Sequence, residues 1–285
     1  MVKHRIFFGA LMIMLFVGIV VFDGWLDGSF TKTPDDNKPV QGTIFCILVA
    51  GLLSLASLEF AKLASNKKLT IFVPVTIIAV ILISTTRYWA QFIELRKEIY
   101  LLSLLSFAIL TILFFQYLRF GTNSVIANCG VNYFAILYLG ILGNFCISIR
   151  LEYGLWVLLM YVFVVKCTDI GAYTAGKLFG KHKFSPNISP GKTWEGMAGG
   201  IVGAILVAIG FAVIFGIMSW PMAIVFGLIF AFIGQLGDLA ESMLKRDAQQ
   251  KDSASIVPAF GGILDIIDSP LAAAPFAYLF FMWCS

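Results

Sequence analysis

Nine apolar stretches, each near the length that crosses a bilayer, divide this chain and leave little room for any other architecture. They lie at 6–22, 43–60, 69–85, 100–118, 131–148, 152–168, 197–217, 220–237 and 263–283. Crossing hydrocarbon about 30 Å thick takes roughly 20 apolar helical residues at ~1.5 Å each. Lipid offers the backbone no hydrogen-bond partners, so runs of this length read as helices. Only 13% of the 285 residues are charged and 60% are hydrophobic, whereas soluble domains carry roughly 25% charged residues. The expected fold is an all-α integral membrane protein, a polytopic bundle of about nine transmembrane helices.

Orientation follows from the basic residues, which favour the cytoplasmic side of short loops. Lys3 and Arg5 precede the first run, and no Ala-x-Ala site follows it, so it reads as an uncleaved span with a cytoplasmic N-terminus. Loop 23–42, with Asp23, Asp27, Asp35 and Asp36, then falls outside, and Lys62, Lys67 and Lys68 fall inside. Loop 86–99 fits this alternation less well, because Arg87, Arg96 and Lys97 outweigh Glu94 and Glu98. Loops 169–196 and 238–262 both fall inside. The glycines of span 197–217 (Gly199, Gly200, Gly203, Gly210 and Gly216) allow close helix approach and place that span centrally in the bundle. Residues 1–150 thus form an N-terminal set of helices, and 151–285 a C-terminal region holding both polar loops.

The chemistry-bearing residue types gather in those two loops. Gly191-Lys192-Thr193 has the ending of a phosphate-binding P-loop, but Pro186 stands where the first glycine belongs and has no N–H to offer. The turn Ser189-Pro190-Gly191 still leads into a helix start, where free N–H groups and a positive dipole end suit a phosphate. Asp169 closes an apolar run, where a carboxylate is costly unless it is paired or holds a cation. Lys177, Lys181 and Lys183 serve equally well as anchors on the cytoplasmic side. In the second loop, Asp238, Glu241, Ser242 and Lys245 recur at helical spacing and share a face. That spacing suits either a hard divalent cation held by carboxylates or a plain Glu241–Lys245 salt pair. Asp265 and Asp268, three residues apart inside the last run, and the turn-forming Pro258-to-Gly262 stretch favour the cation. His4 and His182 both read as solvated loop residues, which disfavours Ser/His/Asp catalysis. The five cysteines are scattered without metal-binding spacing. The net charge of +4 reflects loop lysines and gives no support for nucleic-acid binding.

Taken together, Asp-Ile-Gly-Ala-Tyr at 169–173, Ile-Ser-Pro-Gly-Lys-Thr-Trp-Glu-Gly at 188–196, Gly-Asp-Leu-x-Glu-Ser-x-x-Lys-Arg at 237–246 and Pro-x-x-Gly-Gly-Ile-Leu-Asp-x-x-Asp at 258–268 resemble the phosphatidate cytidylyltransferase family. The motif resemblance covers about the last 120 residues, and the Glu59 region is similar too. Departures are Ala259 and Phe260 for a family Gly-His, Ile266 for an Arg, and Lys166 where a Trp is usual. The resemblance implies condensation of CTP with phosphatidate to CDP-diacylglycerol and pyrophosphate, with Mg²⁺ as cofactor and K⁺ left open as a companion ion.

It implies Asp238, Glu241, Asp265 and Asp268 as metal ligands. Asp238, Asp265, Lys245, Arg246 and Lys192 then form the reacting centre. Asp169, Tyr173, Ser189, Thr193, Ser242, Lys251 and Asp252 would bind the substrates. Phosphate is already ionised near neutral pH, so the reaction calls for charge neutralisation and alignment rather than a histidine base. The implied location is a bacterial inner membrane, and a homodimer is compatible with it. Alternatives on residues alone are a CTP-dependent enzyme for another lipid phosphate, a transporter with its site at mid-membrane, and a structural protein with a degenerate site.

Overall fold

The computed structural model describes residues 2–30, 37–93, 96–254 and 261–284. Among them the structure is helical, and eight helices are long and apolar enough to cross a membrane. The elements are α1 (Val2–Leu26), α2 (Thr43–Asn66), α3 (Val73–Ser84), α4 (Thr86–Trp89), α5 (Lys97–Phe120), α6 (Val125–Ala135), a π-helical segment (Ile136–Ile141), α7 (Leu142–Tyr153), α8 (Leu155–Phe179), α9 (Trp194–Phe215), α10 (Trp220–Asp247) and α11 (Ile263–Cys284). Each expected apolar run falls mainly on helix, with 131–148 crossing α6, the π-helical segment and α7, but the third does not make a full span. Its helix α3 has 12 residues, about 18 Å at the usual rise. Pro258 and the two departures from the family pattern beside it, Ala259 and Phe260, lie outside the described residues.

The chain divides into two compact units. The first comprises Met1–Leu155 and Ala248–Ile266, the second Trp156–Asp247 and Ile267–Ser285. The expected division at residue 150 lies near the boundary at Leu155, and Ala248–Ile266 belongs with the first unit.

In the first unit, the non-helical backbone ahead of the short α3 is satisfied by side-chain amides. Asn132 Oδ1 accepts from Phe72 N at 2.7 Å, and Asn128 Oδ1 from Thr70 N at 3.0 Å. Asn132 Nδ2 donates to the carbonyls of Thr70 and Asn128, both at 2.7 Å. A break in helix inside lipid is tolerable only when its polar groups find such partners.

Asp23 and Asp27, expected in an external loop, sit at the end of α1 and just beyond it and are buried. Arg150 of α7 is fully buried and reaches both of them, Asp23 Oδ2 at 2.8 Å and Asp27 Oδ2 at 2.9 Å. The same carboxylates cap the start of α2, where Asp23 Oδ1 accepts from Ile44 N and Asp27 Oδ2 from Gly42 N, each at 2.8 Å. Two anions are therefore shared between one guanidinium and the positive end of a helix. Arg87, which spoiled the charge alternation, is ion-paired with Glu152.

In the second unit, α8 and α9 pack along a glycine seam. A Cβ at Gly171 would lie 2.7 Å from the Gly199 carbonyl oxygen, and one at Gly196 would lie 2.7 Å from that of Ala172. The glycine face of α9 meets α8, another side packs on α10, where a Cβ at Gly227 would lie 2.7 Å from Ile205 Cα, and Val202, Leu206, Val213 and Ile214 are exposed. Small residues mark a close contact, and one face is enough for that. α10 and α11 are joined by aromatic packing, with Phe226 stacked on Phe230 at 4.2 Å and edge-on to Phe280 at 5.0 Å. Where α10 nears its polar end, Gly237 has Ala272 against it, and a Cβ there would lie 2.8 Å from that of Ala272.

Candidate active site

The polar residues of the second unit stand largely on helices rather than in loops. α8 continues to Phe179 and α10 to Asp247, so Asp169, Tyr173, Asp238, Glu241, Ser242, Lys245 and Arg246 all gain fixed positions. The extension of α8 past Asp169 adds about 15 Å of helix, and its Gly and Ala residues pack on the start of α9.

Asp238, Glu241 and Asp268 each offer a carboxylate oxygen, all within 4.8 Å of one another. Glu241 and Asp268 are buried, while Asp238 is half-exposed. This juxtaposition joins the second polar segment to the last helix, as the sequence pattern anticipated for Asp238 and Asp268. An ion with ligand distances of about 2.1–2.4 Å holds opposite oxygens roughly 4.2–4.8 Å apart, so the set fits a small hard divalent cation. Carboxylate oxygens alone, with no sulfur or imidazole, suit magnesium, calcium or manganese rather than zinc.

Lysines surround the cluster. Lys192 Nζ lies 2.8 Å from Asp238 Oδ2 and donates to the Gln235 carbonyl at 3.1 Å. Lys245 is ion-paired with Glu241 one turn earlier on α10. Lys166 Nζ stands 3.6 Å from Asp169 Oδ2 and 4.0 Å from Asp268 Oδ1. The Glu241–Lys245 pair read in the sequence as an alternative to a metal site is therefore present alongside the cluster. Ser242 Oγ reaches Asp238 Oδ1 at 3.4 Å.

Gln235 escaped the sequence reading. It is buried, donates from Nε2 to Asp169 Oδ1 at 3.1 Å, and accepts from Lys192 through its carbonyl. Its signal was present, since it is the lone amide in the apolar part of α10.

The first polar loop folds back beside this site. Arg246 Nε donates to the Ile188 carbonyl at 3.3 Å, and the Ser185–Ser189 turn leads to Lys192. Thr193, expected to meet phosphate, caps α9 and accepts from Gly196 N at 3.1 Å. Glu195 accepts from His182 N and pairs with His182 Nδ1 at 2.6 Å. His182, read as a solvated loop residue, is exposed but paired. Ser189 is half-buried, and Tyr173 is exposed with Lys177 6.0 Å over its ring.

Asp265 has different partners from those expected of a metal ligand. In the first unit, its Oδ2 accepts from Gly262 N at 2.8 Å and from Ser253 N and Oγ at 3.0 and 2.8 Å. Glu59 of α2, buried, closes the same turn, accepting from Ile263 N, Leu264 N and Ser253 Oγ, each at 2.8 Å. Lys251 and Asp252 are exposed on that unit.

The sequence matches the model of the cytidylyltransferase family over residues 38–284. Among relatives, the phosphatidate cytidylyltransferase of Staphylococcus epidermidis is 34% identical over 241 residues, covering 83% of this chain and 89% of that protein. The protein of the same name from Pseudomonas aeruginosa is 34% identical over 249 residues, 83% of this chain and 87% of that one. The Bacillus subtilis protein of that name is 42% identical over 147 residues, so the match spans half of this chain and 55% of the relative. With the family match running through nearly all the described helices and the identity sustained over most of its length, the chain belongs to the cytidylyltransferase family.

Proposed function

We propose that this protein is a phosphatidate cytidylyltransferase, condensing CTP with phosphatidate to CDP-diacylglycerol and pyrophosphate. The observation that carries the reading is the cluster Asp238, Glu241 and Asp268 ringed by Lys166, Lys192 and Lys245. The relatives' names supply the substrates, the apolar helices fit a reaction at a bacterial inner membrane, and Lys3 and Arg5 ahead of the first span support a cytoplasmic N-terminus.

Two anions must react, so the protein's task is to lower their repulsion and align them. In this reading Asp238, Glu241 and Asp268 hold Mg²⁺, which when bound neutralises triphosphate charge and the leaving pyrophosphate. Lys192, anchored by the Gln235 carbonyl, and Lys245 present ammonium groups to phosphate oxygens. Arg246 is placed to grip a phosphate from the edge of the Ile188 turn. Asp169 is held by Gln235 and Lys166 and shapes the wall nearest α8. The phosphatidate oxygen attacks the α-phosphorus of CTP, and the bond to the β-phosphate oxygen breaks as pyrophosphate leaves. No proton need be removed, which agrees with a site built without histidine.

The test is pyrophosphate release by the purified protein given CTP, phosphatidate and Mg²⁺. Wild type should release it only with all three present, and Asp238→Asn or Asp268→Asn should abolish release. Full turnover without phosphatidate, or by both variants, would remove the reading.

A further inference from the structure

Each carboxylate of the cluster has a lysine beside it: Lys192 for Asp238, Lys245 for Glu241, and for Asp268 Lys166, which it shares with Asp169. Lys166 differs from the other two in its surroundings. It lies within the apolar part of α8, one turn before Asp169, and its side chain is 31% exposed. At 3.6 Å from Asp169 and 4.0 Å from Asp268 its ammonium is within charge range of both. A lysine at that depth is expensive unless paired, and here it is paired twice. Its four-carbon stem lets the charge swing without moving the helix.

Asp268 is also one of the three carboxylates that fit a divalent cation. A tethered ammonium and a dication cannot both sit against it without repulsion. We propose that Lys166 is a positioning residue that acts as a built-in counter-cation of the acid cluster. It holds Asp169 and Asp268 together before metal arrives, competes with the metal for Asp268, and swings towards the nucleotide phosphates once the metal is bound. Lys166 thereby couples metal entry to nucleotide binding, because the charge displaced by the first is offered to the second. The inference rests on the metal-site reading above, but metal binding needs no turnover, so it can fail or stand separately from the proposed reaction.

The experiment titrates Mn²⁺, as a spectroscopic stand-in for a hard divalent ion, into the purified full-length protein and follows free Mn²⁺ by electron paramagnetic resonance. Removing a half-exposed competing charge should tighten Mn²⁺ binding by about tenfold in Lys166→Met. Lys166→Arg, which keeps the charge, should stay within about twofold of wild type. Lys166→Gln is the second neutral variant should the methionine fail to fold. In the pyrophosphate assay at saturating Mg²⁺, the neutral variants should raise the KM for CTP more than they lower kcat. Mn²⁺ affinity unchanged or weakened in a folded neutral variant would overturn the proposal, as would a wild-type KM for CTP.

Discussion

Glu59 and Asp265 meet on a single hydroxyl, with Ser253 Oγ 2.8 Å from a carboxylate oxygen of each. A hydroxyl has one proton to give, so the two carboxylates share one donor while each also collects backbone N–H groups at the start of α11. The start of that helix is therefore fixed by two side chains about 200 residues apart in sequence, an order of separation that no local pattern conveys.

Glu59→Gln follows directly. The amide keeps one acceptor but turns an N–H towards backbone donors, and it removes an anion from a helix N-terminus. We expect a loss of about 1–3 kcal/mol in stability, read as a lower melting temperature in detergent. An unchanged melting temperature would show that the contact contributes nothing.

The second prediction separates two aspartates on α11. Asp268→Asn should weaken Mn²⁺ binding by about 10–100-fold. Asp265→Asn should leave that affinity within about twofold and lower the melting temperature, because its carboxylate serves the turn. Equal losses of Mn²⁺ affinity would return Asp265 to the ligand set.

Lys192 is held by Asp238 and the Gln235 carbonyl, which aims its ammonium without committing it to helix structure. Lys192→Met should cut pyrophosphate release by about 100-fold or more with little change in melting temperature. A large fall in stability with activity retained would make it a structural anchor.

Arg150 holds Asp23 and Asp27 in a buried triad. Arg150→Met strands two buried carboxylates and should cost about 3–5 kcal/mol, seen as loss of monodisperse protein on gel filtration. Adding Asp23→Asn and Asp27→Asn should recover part of that loss, since the uncompensated charge is what hurts.

Much of this was legible beforehand, for identifiable reasons. Apolar length predicted the helices because lipid leaves the backbone no other choice, and the spaced Asp, Lys and Gly of 169–196 and 237–268 carried the family resemblance that the family match bears out. The i,i+3 and i,i+4 spacing of Asp238, Glu241 and Lys245 was readable as one helical face. What was not legible involves partners far apart in sequence. Asp23 looked like a loop acid because its partner Arg150 is 127 residues away. Gln235 was passed over because a single amide in an apolar run has no pattern, and its meaning appears only when Asp169 is beside it.

The presence of a lysine beside every cluster carboxylate has a bearing on biogenesis. A bare knot of acids would resist entry into the bilayer and spring apart before any ion reached it. With ammonium groups already in place, the nascent helices can leave the insertion machinery nearly charge-balanced. The fold can then assemble with its cluster charges already offset.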